Sequence, residues 1–307
     1  MFKISALYIF SPVHNTENLR HALHHICSSN NILGTLLIAT EGLNGTVAGT
    51  HEAIDTLLHF LRQEDMFPTI QSTLSYAEKM PFHRMKIRIK NEIVTMGIPD
   101  ISPYEQTGTY ISPEAWNDIL NDPEMLVIDT RNDYEVRIGT FKGAIHPETQ
   151  NFSQFPAFVE KSLNPQIHKK IAMFCTGGIR CEKSTAYLKK KGFENVYHLK
   201  GGILKYLQNI PQEKSLWQGE CFIFDDRTAL DHQLQSSTYM FCRGCRHVIT
   251  TADTEHAHYL EGVHCAYCFA HLTDHKKNAS MERHRQILLA KKRGSIHLGS
   301  RNNAQNA

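Results

Sequence analysis

At 307 residues the chain is long enough for two or three domains, each with its own core. With 41% hydrophobic residues, 21% charged residues and a formal charge of +2, it is neither a disordered polyelectrolyte nor a broadly basic nucleic-acid binder, so any basic patch must be local. No apolar run approaches the roughly 18 residues of a membrane span. The start, MFKISALYIFSPVH, lacks a small-residue cleavage site and suits a buried first strand better than a signal peptide. Eight cysteines are too sparse for a secreted disulfide scaffold. Four fall into two CxxC pairs, Cys175 and Cys181 flank one loop, and Cys27 and Cys221 stand alone. Reduced thiols in the cytoplasm are the expectation.

In chain order, KISALYIF (3–10) predicts a strand and 16–29 a helix with Thr16 as its cap. Residues 32–49 predict two strands that turn at Gly42-Leu43-Asn44-Gly45, because Asn-Gly takes positive φ cheaply. A helix at 50–63 and strands near 69–76 and 84–95 complete a βαββαβ order, so residues 1–96 are expected to form a ferredoxin-like α+β domain. His21, His24 and His25 read as exposed helix residues. A linker rich in Pro, Gly and Ser follows, and Ser112-Pro113-Glu114 reads as a helix start with proline at the first helical position.

Residues 105–214 alternate helix and strand: PEAWNDIL, MLVIDT, a helix at 154–162, KKIAMF, CEKSTAYLKKKG, NVYHL and ILKYLQ. Short, unalternating apolar strands between helices imply an α/β domain with a mostly parallel sheet. Gly192 is placed to end its helix. From 215 to 275 the regular pattern fades into a four-cysteine module, and 276–307 reads as a basic tail, helical over roughly 279–292 and disordered beyond.

The densest signal is FCTGGIRCEKST (174–185). Cys175 follows a strand and precedes a helix, at the carboxyl edge of a parallel sheet where such folds place their sites. Gly177 and Gly178 let the loop Thr176-Gly177-Gly178-Ile179 curl its N–H groups inward. The helix start and Arg180 add positive charge, which favours a thiolate at Cys175 and would hold an anionic group carried on its sulfur. Tyrosine-phosphatase loops have one residue more between cysteine and arginine, so this cradle suits a cargo the size of a sulfur atom. Cys175 and Cys181 are too far apart in sequence for a dithiol CxxC motif. Cys181 either resolves an oxidised or persulfidated Cys175 or packs the helix start. A glycine turn beside a buried thiol is the plain alternative for the whole loop.

Together with VIDTRNDYE (127–135), GAIHP (143–147) and HLKGGILKY (198–206), the loop resembles the rhodanese family. The resemblance implies a persulfide-carrying Cys175 and an active-site loop ending at Arg180, with Asp129 and Arg131 beside it as catalytic or supporting residues. Where the family usually has Gly-His-Ile-Pro-Gly-Ala, this chain has GTFKGA (139–144). A ferredoxin-like start, CTGGIRCEKS and a later pair of CxxC motifs are similar to the rhodanese-domain tRNA uridine hydroxylases. That resemblance implies oxygen-dependent hydroxylation of the wobble uridine to 5-hydroxyuridine, with molecular oxygen as co-substrate and the tRNA anticodon loop as partner. The sequence contains no nucleotide or flavin motif. A plain sulfurtransferase passing persulfide sulfur to a thiol, and a non-enzymatic adaptor, are the other readings.

Cys242-x2-Cys245 and Cys265-x2-Cys268 are separated by 19 residues, a spacing suited to a four-cysteine structural zinc site. Reduced loop thiols and two disulfides are the alternatives. His247 and His264 adjoin these positions as bystanders. The last 37 residues carry eight Lys/Arg against two Asp/Glu and no aromatic residue. They either form a solvated charged helix or lie along RNA phosphates.

Overall fold

The computed structural model describes residues 1–63 and 67–294, and the chain divides into two units: Met1–Phe224 with Leu230–Ser236, and Asp225–Ala229 with the residues from Ser237 onward. In the first unit, β1 (Phe2–Phe10), α1 (Thr16–Ser29), β2 (Leu33–Ala39), β3 (Gly42–Gly49), α2 (His51–Gln63) and β4 (Gln71–Ala77) make the expected ferredoxin-like order. The sheet runs β4-β1-β3-β2, and β5 (Met85–Ile89) extends it by pairing parallel to β2. Leu19, Leu23 and Cys27 recur at helical spacing along α1, and Ile54, Leu57, Leu58 and Leu61 along α2. These stripes bury against the sheet in one core.

Three expectations for this domain need correction. The cap of α1 is Asn15, whose side chain accepts from the Asn18 amide at 2.9 Å, rather than Thr16. The β2–β3 turn is Thr40-Glu41, between the paired Ala39 and Gly42, and Asn44-Gly45 lies inside β3. Gly45 answers to a close approach between strands: a Cβ there would sit 2.0 Å from the Thr35 carbonyl oxygen. The strand expected over 84–95 ends at Ile89, because the Glu41 carboxylate takes the Ile93 amide at 2.7 Å and draws the chain out of the ladder.

The central sheet joins β6 (Thr109–Ile111), β7 (Met125–Asp129), β9 (Lys170–Phe174) and β10 (Asn195–Leu199) in the order β6-β10-β9-β7, with parallel pairing throughout. Alternate strand residues enter opposite cores, which is why each strand reads as an unbroken apolar run. Ile128, Ile171 and Met173 pack on one face with α5 (Phe155–Ser162) and α6 (Ile179–Lys190). Val127, Ala172 and Phe174 pack on the other with α3 (Pro113–Asn121) and α7 (Gly202–Asn209). Ser112 caps α3 at the Ala115 amide, 3.4 Å away, and Gly192 follows α6 at φ +88°. A single turn, α4 (Asp133–Val136), leads to β8 (Gly139–Phe141), which pairs antiparallel with β11 (Trp217–Gly219). Trp217 and Cys221 lie in the same core as Phe141 and Phe174, so central packing continues past residue 214.

In the second unit a short antiparallel pair (Met240–Phe241 with Val248–Ile249) and a helical turn (Ala266–Phe269) present the cysteines. The basic helix spans Asp274–Lys292, about a turn more than expected, because Thr273 caps it at the Lys276 amide. The end expected to be disordered, 295–307, lies outside the described residues. Among the described residues no helix is long and apolar enough to cross a membrane.

Candidate active site

Cys175 leaves the end of β9 and α6 begins four residues later, so the intervening loop must reverse within one turn. Gly178 makes this possible at φ +105°, and its N–H donates to the Cys175 Sγ at 3.1 Å. The outer side of the loop is held by α7, whose Ile203 and Leu204 amides donate to the carbonyls of Cys175 and Thr176 at 3.0 and 3.1 Å. This contact requires Gly202, where a Cβ would stand 2.5 Å from the Cys175 oxygen, at a backbone φ of +66°. With its carbonyls tied outward, the loop turns amides toward the sulfur.

Burial alone would push the Cys175 thiol up. The Cys181 thiol donating to it, the Arg180 charge and the amides of Cys181 and Gly178 outweigh burial and bring it down to about 6. Cys175 is therefore a thiolate at neutral pH. Cys181 is fully buried within hydrogen-bonding reach of Cys175 and lies 3.6 Å from the Thr130 hydroxyl. Burial first, then the neighbouring thiolate, holds the Cys181 thiol well above its ordinary value, so it is the S–H donor of the pair.

Arg180 does not point freely into the loop. Its guanidinium forms a two-pronged pair with Glu135 at 2.6 and 2.8 Å, and Thr176 bridges the two side chains. Glu135 is fully buried, and Arg180 holds its carboxyl below the usual range against the cost of burial. Asp129 and Arg131 form a second two-pronged pair with no exposed side-chain surface. Arg131 also donates to the carbonyls of Gly139 and Glu135, and Thr140 donates to Asp129 at 2.8 Å. These two residues clamp the end of β7 to β8 and to the turn that carries Glu135. Thr140 belongs to GTFKGA, so the departure from the family pattern lies on this clamp.

Sequence reasoning missed Glu135, Tyr8, Glu182 and Lys183, although Glu135 lies within VIDTRNDYE and the last two within CTGGIRCEKS. Lys183 is almost fully buried and reaches the N-terminal domain, with both Glu41 oxygens at 2.8 Å and Glu92 at 2.6 Å. An open cleft of about 360 Å³ beside it is lined by Glu41, Glu92, Asp100 and Ile101.

In the second unit, the sulfurs of Cys242, Cys245, Cys265 and Cys268 all lie within 4.8 Å of one another. The Cys242–Cys268, Cys245–Cys265 and Cys265–Cys268 separations are 3.9, 3.8 and 3.9 Å. A zinc–thiolate tetrahedron with about 2.3 Å bonds has edges of about 3.8 Å, and a disulfide needs about 2 Å. The four thiols therefore fit a metal such as zinc and are not paired as disulfides. His264 is turned to the His258 carbonyl and His247 onto the Tyr267 ring.

The UPF0176 acylphosphatase-like domain family matches residues 2–93, and the rhodanese-like domain family matches residues 112–209. Among solved structures, a rhodanese-like domain from Anabaena sp. is 19% identical over 36% of this chain and 78% of its own, with a TM-score of 0.29. A rhodanese-like domain protein from Staphylococcus aureus is 21% identical over 32% of this chain and 90% of its own, at 0.28. A bacterial light-regulated adenylyl cyclase is 21% identical over 30% of this chain, at 0.26, and this chain spans only 29% of its length. An acylphosphatase-like domain of the UPF0176 type thus precedes a rhodanese-like domain that carries the Cys175 loop, which is the domain architecture of the UPF0176 rhodanese-domain proteins.

Proposed function

We propose that this protein is a tRNA-modifying oxidoreductase that hydroxylates the wobble uridine to 5-hydroxyuridine, with molecular oxygen as co-substrate and Cys175 as the reactive, persulfide-bearing residue. The observation that carries the reading is Cys175 held as a thiolate by the Gly178 amide, the Cys181 thiol and the charge of Arg180, in a loop sized for one extra sulfur. The domain architecture supports it, since an acylphosphatase-like domain precedes the rhodanese-like one. In this reading Thr176–Ile179 cradle the anionic sulfur and Arg180 fixes its charge. Cys181 donates to that sulfur, and Asp129 and Arg131 hold the loop's floor. Zinc at the four cysteines would give the second unit the stability its small core lacks. The basic helix Asp274–Lys292 would meet the phosphates of the anticodon stem and loop in the cytoplasm.

The test is mass spectrometry of tRNA nucleosides from a deletion strain carrying wild-type protein or Cys175→Ser. The expected result is wobble 5-hydroxyuridine restored by the first and absent with the second. An unchanged nucleoside profile in the deletion strain refutes the reading. A sulfurtransferase is the second reading, favoured by the same sulfur-sized cradle, and robust thiosulfate:cyanide turnover without RNA would select it.

A further inference from the structure

Two large aromatic rings of the second unit face solvent although its core does not use them. Tyr267 is 54% exposed and Phe269 40% exposed, while Cys242, Ile249, Cys265 and Cys268 form the core with Tyr259 and Leu272 packed against them. Both rings sit on the helical turn Ala266–Phe269, one on each side of Cys268 in sequence. The Phe269 amide donates to the Cys265 carbonyl at 3.0 Å, and the Cys265 amide donates to the Cys268 sulfur at 3.4 Å. The turn that presents the cysteines therefore also fixes the rings. Residues two apart on a helical turn point about 200° apart, so each ring has its own side.

Each ring is backed by an imidazole. His247, two residues after Cys245, lies against Tyr267 with centroids 4.1 Å apart and planes 30° apart. His258 stacks on Phe269 at 4.1 Å with planes 5° apart, and His256 adjoins His258 at 5.4 Å. The His264 Nδ1 pairs with the His258 carbonyl at 2.8 Å, and the His264 ring meets Phe269 edge-on at 5.1 Å. Cations stand beside the rings. The Lys277 ammonium lies 5.7 Å from the Phe269 ring centre, and the Arg246 guanidinium, one residue before His247, lies 4.5 Å from that of Phe241. Arg283 donates to the Arg243 carbonyl at 3.0 Å, which ties the basic helix to the first CxxC loop. Residues 237–294 hold nine Lys/Arg against five Asp/Glu, an excess that the two negative charges of a zinc tetrathiolate do not cancel.

We propose that Tyr267 and Phe269 are two base-stacking seats through which the four-cysteine unit holds unpaired bases of an RNA loop. A nucleobase offers a flat π-face to a ring and an anionic phosphate to the cations beside it, and both kinds of group are assembled here. The neighbours of the two rings named above are imidazoles and a cation, which suit bases better than the apolar anchor of a protein partner. The inference rests on the RNA reading above and deepens it. To the phosphate contacts of the basic helix it adds the side chains that touch bases. Its readout is binding alone, with no part for Cys175 or oxygen, so its failure and that of the hydroxylation reading are separate results.

The test titrates full-length, metal-replete protein into two fluorescein-labelled RNAs, an anticodon stem-loop and a blunt duplex of the same stem. Anisotropy is read across a range of potassium chloride concentrations. Tyr267→Leu and Phe269→Leu keep an apolar side chain and remove the ring. Each should weaken stem-loop binding by about 5-fold or more, with duplex affinity and salt slope unchanged. Tyr267→Trp and Phe269→Tyr keep a ring and should bind like wild type. Lys277→Gln should instead weaken binding of both RNAs and flatten the salt slope. One zinc per chain in each leucine variant shows that the four-cysteine site is intact. Ultraviolet cross-linking of the stem-loop to wild type, mapped by mass spectrometry, needs no variant and should place adducts on Tyr267 or Phe269. Several results overturn the proposal: no stem-loop binding by wild type, unchanged affinity in both leucine variants, an equal fall for stem-loop and duplex, or adducts confined to other residues. Self-association of wild type that the leucine variants lose, with RNA affinity unchanged, marks a protein interface and overturns it too.

Discussion

Replacing Lys183 with methionine separates the structural role of the active-site motif from its chemistry. Only 2% of the Lys183 side chain is exposed, and its ammonium stands between Glu41 and Glu92, whose side chains are 21% and 20% exposed. Removing it leaves two facing carboxylates without their cation. Breaking a buried pair on one side costs about 3–5 kcal/mol, and partial hydration of both acids places this case near the low end, about 3 kcal/mol. At the upper end of the usual urea dependence, about 3 kcal/mol per molar, the unfolding midpoint of the first unit should fall by about 1 M. Against the cost of burial, the Lys183 hydrogen bond and charge and the Met96 and Gly97 amides hold the Glu92 carboxyl below its ordinary value. In wild type its contribution is present above the unfolded carboxylate value and is lost as pH falls through the lowered folded value. In Lys183→Met that carboxyl rises instead, so the stability deficit should shrink as pH falls. Adding Glu41→Gln and Glu92→Gln should restore part of the midpoint, because both unpaired charges are removed. The glutamine at 41 keeps an oxygen for the Ile93 amide, and the one at 92 keeps an oxygen for only one of the Met96 and Gly97 amides, which bond to different Glu92 oxygens. A Lys183→Met midpoint within about 0.2 M of wild type would refute the argument, since so small a shift corresponds to less than 1 kcal/mol.

The rate of Cys175 alkylation should rise through about pH 6 and level off above it, and the thiolate's stabilising contribution should be complete above the unfolded thiol value and fade as pH falls toward 6. An inflection near the ordinary thiol value, read by quenched alkylation and mass spectrometry, would contradict the cradle. Gly202→Ala, which drives a Cβ into the Cys175 carbonyl, should cost about 2 kcal/mol or more in urea unfolding and slow Cys175 alkylation. Metal analysis should find one zinc per chain and none in Cys268→Ser. Limited proteolysis of that variant should cut within 237–294 while Cys175 alkylation stays unchanged.

The chemistry of the Cys175 loop was legible because it is local: strand, cysteine, paired glycines, arginine and helix follow one another within a dozen residues. The zinc-type spacing was legible for the same reason. The partners of that loop were not. Tyr8 meets Glu182 from 174 positions away and Lys183 meets Glu41 from 142, distances at which spacing carries no information. Arg180 was assigned to the sulfur because it ends the loop, yet its strongest partner is Glu135, 45 positions earlier. Asn44-Gly45 misled for a different reason. Glycine serves both a positive φ and a close strand approach, and only the Thr35 carbonyl across the ladder tells which applies.

That difference bears on how CTGGIRCEKS should be divided. CTGGIR is the part that makes a thiolate: Cys175 supplies the sulfur, Gly178 an amide and Arg180 the charge. The second cysteine keeps its proton for that sulfur, and the remaining side chains make their hydrogen bonds with other partners. Glu182 joins Tyr8 and Tyr110, Lys183 joins Glu41 and Glu92, and Ser184 donates to the Met173 sulfur and the Cys181 carbonyl. An isolated central domain would therefore expose a buried acid and a buried ammonium deprived of their partners on the N-terminal domain. The length of the motif thus follows from two demands on one helix start, a sulfur to be ionised and a second domain to be held against it.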